Sequence, residues 1–122
     1  MARDLYAALA DRYDGARPFS MITTSEARHY AAVGTLLERY GVPDTGAALP
    51  AGEYDDPTLQ ALYDDWLARG SASLTDAYLV GVSLEKRDIA DLEASIEADL
   101  PADVDAVLAQ LLRGSQRHLE AY

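Results

Sequence analysis

The chain has 122 residues, a length that fits one domain with a buried core but not two ordinary domains. Its 21 acidic and 10 basic residues give a net charge of -11, which argues against nucleic acid and anionic membrane surfaces as partners. The absence of cysteine excludes disulfides, thiolate metal sites and cysteine nucleophiles. We expect a cytoplasmic protein, because the first residues do not resemble a signal peptide and no apolar run approaches the roughly 20 residues that span a bilayer.

Helical signals recur along the whole chain, which is rich in Ala and Leu and poor in runs of β-branched residues. Gly15 ends the first segment, Gly41 the second and Gly70 a short third one. Ser73 is a suitable cap for the third long helix, and Pro101 separates it from the last. Apolar residues at the helical period predict helices over residues 2–14, 19–40, 57–70, 73–98 and 103–122.

The connection between the second and third long helices is much longer than the other two. Residues 42–56 have no apolar period and are rich in Gly, Pro, Ala and Asp, so we expect a loop before the short helix. Two helical hairpins joined by one long crossover are typical of ferritin-like folds. The sequence therefore predicts an all-α, ferritin-like four-helix bundle that occupies residues 1–122 as a single domain.

Ionisable residues interrupt the apolar stripes of three predicted helices. Glu26 and His29 lie on the second helix, Glu85 and Asp88 on the third long helix, and His118 on the last. A buried carboxylate is costly without a partner, so such residues normally find a counter-charge, a hydrogen-bond network or a metal ion. Glu26 and His29 form a Glu-x-x-His unit, whose members are about one helical turn apart and can reach one ion.

The second hairpin would bring two of these polar pairs together. Antiparallel helices place residues equidistant from the turn at the same level, and a fold about Pro101 sets Glu85 opposite His118. The same fold sets Asp88 level with Ser115, within one turn of the first pair. The sequence thus predicts a carboxylate and histidine cluster in the bundle core, with Glu26, His29, Glu85 and His118 as candidate metal ligands.

A metal-free layer of ion pairs is the alternative interpretation of the same residues. Glu26 and Glu85 could pair with the histidines, or with nearby basic residues of their own helices, and so fix the helix register. The eight tyrosines, Tyr6 among them, are interpreted as amphipathic core packing rather than as redox relays. No activated nucleophile and no phosphate-binding glycine pattern is recognisable in the sequence.

Several short stretches, in order along nearly the whole chain, resemble a bacterial family of ferritin-like proteins called domain of unknown function 2202. The stretches are Ala2-Arg3-Asp4-Leu5-Tyr6, Arg17-Pro18-Phe19, Ser25-Glu26-Ala27-Arg28-His29, Leu74-Thr75-Asp76-Ala77, Asp88-Ile89-Ala90-Asp91-Leu92 and Gly114-Ser115-Gln116-Arg117-His118-Leu119. The resemblance implies a ferritin-like bundle with a divalent metal site, iron first and manganese or zinc as alternatives. Glu26 and His29 match the second-helix ligand pair, Glu85 the third-helix carboxylate and His118 the last-helix histidine.

The chain departs from the general di-iron pattern at two places. That pattern has a first-helix Glu and a second complete Glu-x-x-His unit, whereas here Ser115 occupies the position of the last-helix Glu. Either natural residues precede Met1, or the first helix is shortened and the site reduced. We therefore expect a reduced site that holds one ion and serves iron handling or oxygen and peroxide chemistry.

Two expectations follow for the site and its partners. Neutral histidines are needed for ligation, so metal binding should weaken in mildly acidic solution. The alternative function is a metal-free helical interaction module that retains the fold and associates through an exposed face of the first helix. Association into a homo-oligomer is left open by the sequence.

Overall fold

Five α-helices and no strands make up the structure, a computed structural model that describes residues 1–122. The helices are α1 (Ala2–Arg12), α2 (Phe19–Tyr40), α3 (Pro57–Gly70), α4 (Leu74–Ile96) and α5 (Ala102–Leu119). This confirms the all-α prediction, and each helix end lies within about one turn of its expected position. None of the five helices is both long and apolar enough to cross a membrane.

Two helices begin at side-chain caps, and one helix ends at a glycine. Asp56 caps α3 by accepting hydrogen bonds from the backbone N–H groups of Thr58 and Leu59. Ser73 caps α4 through the N–H of Asp76. Gly41 follows α2 with φ of 64°, a left-handed conformation that glycine adopts without steric cost.

Helix α1 packs against α2, and α4 packs against α5. Ser115 donates to Asp88 on the facing helix, while His118 lies beside Glu85, so α4 and α5 run antiparallel in the register expected from a fold about Pro101. Helix α3 closes the structure by packing on α1 and α4. The crossover therefore places α3 against one helix of each hairpin, α1 and α4.

The core lies where α1, α2, α3 and α4 meet. Trp66 brings the short helix α3 into it with 7% of its surface exposed. The other members of this core cluster are mostly large apolar or aromatic side chains: Leu5, Tyr6, Leu9, Phe19, Ile22, Tyr63, Ala77, Val80 and Leu84.

The far half of α2 has less cover than its apolar stripe predicts. Tyr30 and Tyr40 are among the tyrosines expected to pack in the core, yet they are 44% and 47% exposed, so that expectation was wrong for these two residues. The reason is the length of α1, which has 11 residues against the 22 of α2 and therefore covers only part of it. Tyr40 instead donates a hydrogen bond to Asp103 at the start of α5.

The crossover loop is fastened to α1 by one buried carboxylate. Asp4 accepts hydrogen bonds from the Tyr54 hydroxyl at 2.8 Å and from the Gly52 N–H at 3.3 Å. It also accepts from the guanidinium of the adjacent Arg3. Burial alone would raise the pKa of Asp4, but these hydrogen-bond donors outweigh burial and hold that pKa below its usual range. Asp4 therefore fixes the loop and takes no part in the histidine cluster.

Candidate metal centre

Three helices bring two carboxylates and one imidazole to the same place. Glu26 comes from α2, Glu85 from α4 and His118 from α5, and one ligand atom of each lies within 4.8 Å of the others. His118 Nδ1 is 3.2 Å from Glu26 Oε1 and 3.5 Å from Glu85 Oε1. The three residues are buried, with exposed fractions of 6%, 0% and 7% in chain order. Such a donor set is rare in a protein interior unless its members satisfy one another or bind an ion.

Several polar atoms of this cluster have no hydrogen-bond partner. Glu26 Oε1 and His118 Nδ1 approach each other closely, but their geometry is not that of a hydrogen bond. Glu85 Oε2 is also buried without a partner. Buried polar groups are nearly always paired, and each exception in a native fold requires an explanation. Here Glu26 Oε1 and His118 Nδ1 are at ion-pair distance, whereas Glu85 Oε2 has neither a hydrogen bond nor an ion pair.

His29 adjoins this cluster through Glu26. Its Nδ1 lies 3.0 Å from Glu26 Oε1, and its ring stacks on the ring of His118 with centroids 5.5 Å apart. Helix α5 leaves room for the ring because residue 114 is glycine, where a Cβ would lie 2.5 Å from His29 Cε1 and Nε2. The edge of the His29 ring that carries Nε2 therefore faces the α5 backbone, and Nδ1 is the nitrogen that faces Glu26.

Tyr6 contacts the cluster through a hydrogen bond that the sequence did not predict. Its hydroxyl donates to Glu85 Oε1 at 2.6 Å and lies 3.3 Å from the Gly81 carbonyl oxygen. Tyr6 is completely buried in the core cluster, as the interpretation of the tyrosines as core packing expects. No signal in α1 itself could identify the partner, since Glu85 lies 79 positions away on another helix.

Asp88 and Ser115 form a second polar pair one turn from Glu85 and His118. The Ser115 hydroxyl donates to Asp88 Oδ2 at 2.7 Å. Ser115 is fully buried, and Asp88 is half-buried. Burial raises the pKa of Asp88, and the hydrogen bond from Ser115 opposes that shift. This pair lies where the hairpin arithmetic predicts it.

Burial and charge act in opposite directions on the cluster. Burial alone would raise the pKa of Glu26, but the adjacent imidazoles of His118 and His29 outweigh it and lower that pKa to about 2. Burial likewise disfavours the imidazolium of His118, yet Glu26 and Glu85 raise the pKa of His118 to about 9. Burial also raises the pKa of Glu85. Near neutral pH the metal-free cluster therefore holds a protonated His118 beside an ionised Glu26.

The four residues singled out from the sequence thus occupy one region. The structure brings Glu26, Glu85 and His118 within reach of a common ion, whereas His29 contacts only the Glu26 side of the group. Two carboxylates and an imidazole suit iron, manganese or zinc. Without a metal ion, a proton can be exchanged between the imidazole of His118 and the adjacent carboxylates.

Comparisons with known proteins place the chain in a family. It is 35% identical over 122 residues to the uncharacterized protein MJ0754 of Methanocaldococcus jannaschii, and it spans 65% of the length of that curated relative. The crystal structure of hypothetical protein MJ0754 from Methanococcus jannaschii DSM 2661 is similar, with a TM-score of 0.94 and 36% identity, over 98% of this chain and 68% of that one. The family described as an uncharacterized protein domain, DUF2202, matches residues 1–122. The chain therefore belongs to the DUF2202 family.

Proposed function

We propose that this protein binds one divalent metal ion, iron in the first place, through Glu26, Glu85 and His118. The observation that carries the proposal is the convergence of two buried carboxylates and one buried imidazole from three helices, with one ligand atom of each within 4.8 Å of the others. Glu85 Oε2 has neither a hydrogen-bond nor an ion-pair partner among them, and leaving such a buried group unpaired costs about 1–3 kcal/mol, or more if it is charged. A cation bound among them would remove that cost.

The spacing of the donors fits a shared ion. Two atoms that are each about 2.1 Å from one ion lie about 3.0 Å apart at a right angle and about 3.4 Å apart at the tetrahedral angle. The separations of His118 Nδ1 from the nearer oxygens of Glu26 and Glu85 are 3.2 and 3.5 Å. The oxygen of Glu85 in this comparison is Oε1, which also accepts from Tyr6, and the unpartnered Oε2 belongs to the same carboxylate. The two carboxylates and the imidazole therefore lie at about the spacing that a shared ion requires.

His29 and Tyr6 act on the carboxylates in this proposal. Nδ1 of His29 pairs with Glu26, its ring stacks on His118, and its Nε2 edge is packed against Gly114. We therefore assign His29 to orienting Glu26 and not to the ion itself. Tyr6 holds Glu85 Oε1, which leaves Oε2 free. Second partners of this kind fix ligand orientation in metal sites, and their loss typically lowers metal affinity by about 10–100-fold.

The proposed class is a ferritin-like protein that acts in iron handling or in oxygen or peroxide chemistry. Support comes from the connectivity, two helical hairpins joined by a crossover with one short helix, and from ligands on three helices. When iron is bound, it supplies one-electron redox chemistry. The protein's own residues orient the ligands, and the buried Leu84 and Trp66 restrict water beside them.

Proton release accompanies binding in this account. His118 must lose its proton before Nδ1 can ligate, and its pKa of about 9 means that this proton is present at neutral pH. The pH range over which binding weakens therefore begins near 9, above the mildly acidic range expected from free histidine. The stacked His29 ring and the two carboxylates surround this proton.

A metal-free interaction or structural module is the second candidate. One observation favours it, because the ionised Glu26 and protonated His118 neutralise each other at 3.2 Å without any ion. A buried pair of this kind can fix helix register.

Elemental analysis and melting curves separate the two candidates. Under the metal proposal the purified protein contains metal, and chelator lowers its melting temperature because bound ligand stabilises the folded state. The double variant Glu26→Ala, His118→Ala should contain no metal and should not respond to chelator. If the parent protein, after exposure to iron, manganese and zinc in turn, contains no metal and melts identically with and without chelator, the metal proposal is wrong and the module candidate is favoured.

A further inference from the structure

One phenol hydroxyl joins the candidate metal centre to the aromatic part of the core. Tyr6 donates to Glu85 Oε1 at 2.6 Å, and both side chains are completely buried. Glu85 Oε1 in turn lies 3.5 Å from His118 Nδ1, so a single carboxylate separates the phenol from the imidazole of the centre. The packing role expected of the tyrosines accounts for the ring of Tyr6, but it does not require a hydroxyl that contacts a proposed ligand.

Tyr6 also belongs to a set of neighbouring aromatic rings, which we call the aromatic group: Tyr6, Phe19, Tyr78 and Tyr122. The ring of Phe19 has its centroid 6.3 Å from that of Tyr6 and 5.3 Å from that of Tyr78. The ring of Tyr122 lies 6.1 Å from Phe19 and 6.2 Å from Tyr78. Tyr78 forms the outer end of this group, because it is half-buried and its hydroxyl hydrogen bond is exposed.

The hydroxyls of Tyr6 and Tyr122 meet at one glycine of α4. The Tyr6 hydroxyl lies 3.3 Å from the Gly81 carbonyl oxygen, and a Cβ at residue 81 would overlap the Tyr122 hydroxyl. The Tyr122 hydroxyl is buried and has no hydrogen-bond partner. The aromatic group therefore approaches the centre through two phenols, of which Tyr6 is the one bonded to a proposed ligand.

Electron counting sets a requirement for peroxide chemistry at a centre with one ion. Reduction of hydrogen peroxide to two water molecules takes two electrons and two protons. One iron(II) ion gives one electron when it becomes iron(III), so the second electron must come from another donor. A phenol gives one electron readily when its proton has an acceptor, and Tyr6 has Glu85 Oε1 within hydrogen-bond reach.

We propose that Tyr6 is the second electron donor of this centre when peroxide is reduced. The proposal rests on the proposed function, because it requires one iron ion held by Glu26, Glu85 and His118. The O–H bond of Tyr6 breaks, its proton passes to Glu85 Oε1, and its electron reduces peroxide together with the electron of iron(II). The phenol proton and one proton from solvent complete the two water molecules. Iron(III) and a neutral phenoxyl radical on Tyr6 remain, and no hydroxyl radical is released.

The aromatic group gives the radical a route back to the phenol. A one-electron reductant in solution meets the group at Tyr78, and successive aromatic contacts lead from there to Tyr6. One electron and one proton restore the phenol, and a second electron returns iron(III) to iron(II). The lifetime of the radical should therefore depend on Tyr78.

Electron paramagnetic resonance of the iron(II)-loaded protein, frozen after one equivalent of peroxide, tests the proposal. The parent should show a phenoxyl radical signal that narrows when its tyrosine rings are deuterated. Tyr6→Phe should lose that signal and release hydroxyl radical, which a nitrone spin trap detects, because each ion then has only its own electron to give. Tyr13→Phe is the matched control and should keep the signal, since Tyr13 directly follows α1 and its hydroxyl bonds to the Gly70 carbonyl instead.

Two further variants keep the test independent of a folding defect in Tyr6→Phe. Fluorotyrosine at position 6 keeps the hydroxyl, and its fluorine should add a hyperfine splitting to the signal. Tyr78→Phe should keep the signal and prolong its lifetime in ascorbate. An undiminished signal in Tyr6→Phe or an unsplit signal from fluorotyrosine would overturn the proposal, as would a parent that binds iron and forms no radical. An unchanged lifetime in Tyr78→Phe would overturn the return route. A parent that binds no iron contradicts the proposed function instead.

Discussion

Tyr6 donates its hydroxyl hydrogen to Glu85 Oε1 across 2.6 Å, and both side chains are completely buried. In Tyr6→Phe this buried carboxylate oxygen loses its donor, which should cost about 1–3 kcal/mol of unfolding free energy in the metal-free protein. Urea denaturation of both proteins in the presence of chelator measures this loss of unfolding free energy. Tyr78→Phe is the control, because the Tyr78 hydroxyl bonds to the Arg17 carbonyl near the surface and its loss should cost about 0.5 kcal/mol or less. Equal losses in the two variants would contradict the special role of Tyr6.

Gly114→Ala tests whether the His29 ring packs against the backbone of α5 at Gly114. The new methyl group would lie 2.5 Å from His29 Cε1 and Nε2, so the ring or helix α5 must move, at a cost of about 1–3 kcal/mol. In a His29→Ala background the same change should cost far less, and a double-mutant cycle measures the difference. Gly34→Ala serves as the control on α2, where nothing lies within 4 Å of the added Cβ. That control should stabilise the protein by about 0.5–1 kcal/mol through helix propensity. Absence of coupling between positions 114 and 29 would refute this packing.

Stability of the metal-free protein should depend on pH through Glu26 and His118. The folded pKa of His118 is raised from 6.5 to about 9, so its contribution is fully present below 6.5 and is lost as the pH rises through 9. The folded pKa of Glu26 is lowered from 4.5 to about 2, so its contribution is present above 4.5 and is lost as the pH falls toward 2. The parent should therefore lose stability between pH 6.5 and 9 relative to His118→Gln. Parallel urea midpoints for the two proteins across that range would be inconsistent with a protonated His118.

Metal binding should strengthen as the pH rises from 6.5 to 9, because each bound ion displaces the proton of His118. One proton per ion corresponds to at most about a tenfold change in affinity per pH unit. Calorimetric titration with manganese at pH 7.5, in two buffers of different ionisation enthalpy, reports the protons released. Heats that do not depend on the buffer would mean that His118 is already neutral.

The helices and part of the site could be predicted from local sequence signals. Ser73 marks a helix start by its capping hydroxyl, and Gly41 marks a helix end. Glu85 and His118 could be matched because both lie on helices joined by a short turn, where antiparallel geometry relates positions arithmetically. Asp88 and Ser115 follow from the same arithmetic.

Other features depend on how separate helices approach one another, which a single sequence does not encode locally. The contact of Tyr6 with Glu85 joins α1 to α4 across the bundle, and no turn relates the two positions. His29 shares a face with Glu26, but its ring is directed by the space above Gly114 on α5. The exposure of Tyr40 results from the shortness of α1, which the apolar period of α2 cannot reveal.

Electron spin-echo modulation of the manganese-loaded protein tests the central claim most directly, since it detects imidazole nitrogen bound to the ion. The account predicts one manganese ion per chain with the signal of a single imidazole. His118→Gln should abolish that signal, and His29→Gln should retain it, because His118 Nδ1 lies between the two carboxylates, whereas His29 Nδ1 pairs with Glu26 and its Nε2 faces Gly114. A parent protein that binds no manganese, or an imidazole signal that survives His118→Gln, would contradict the account.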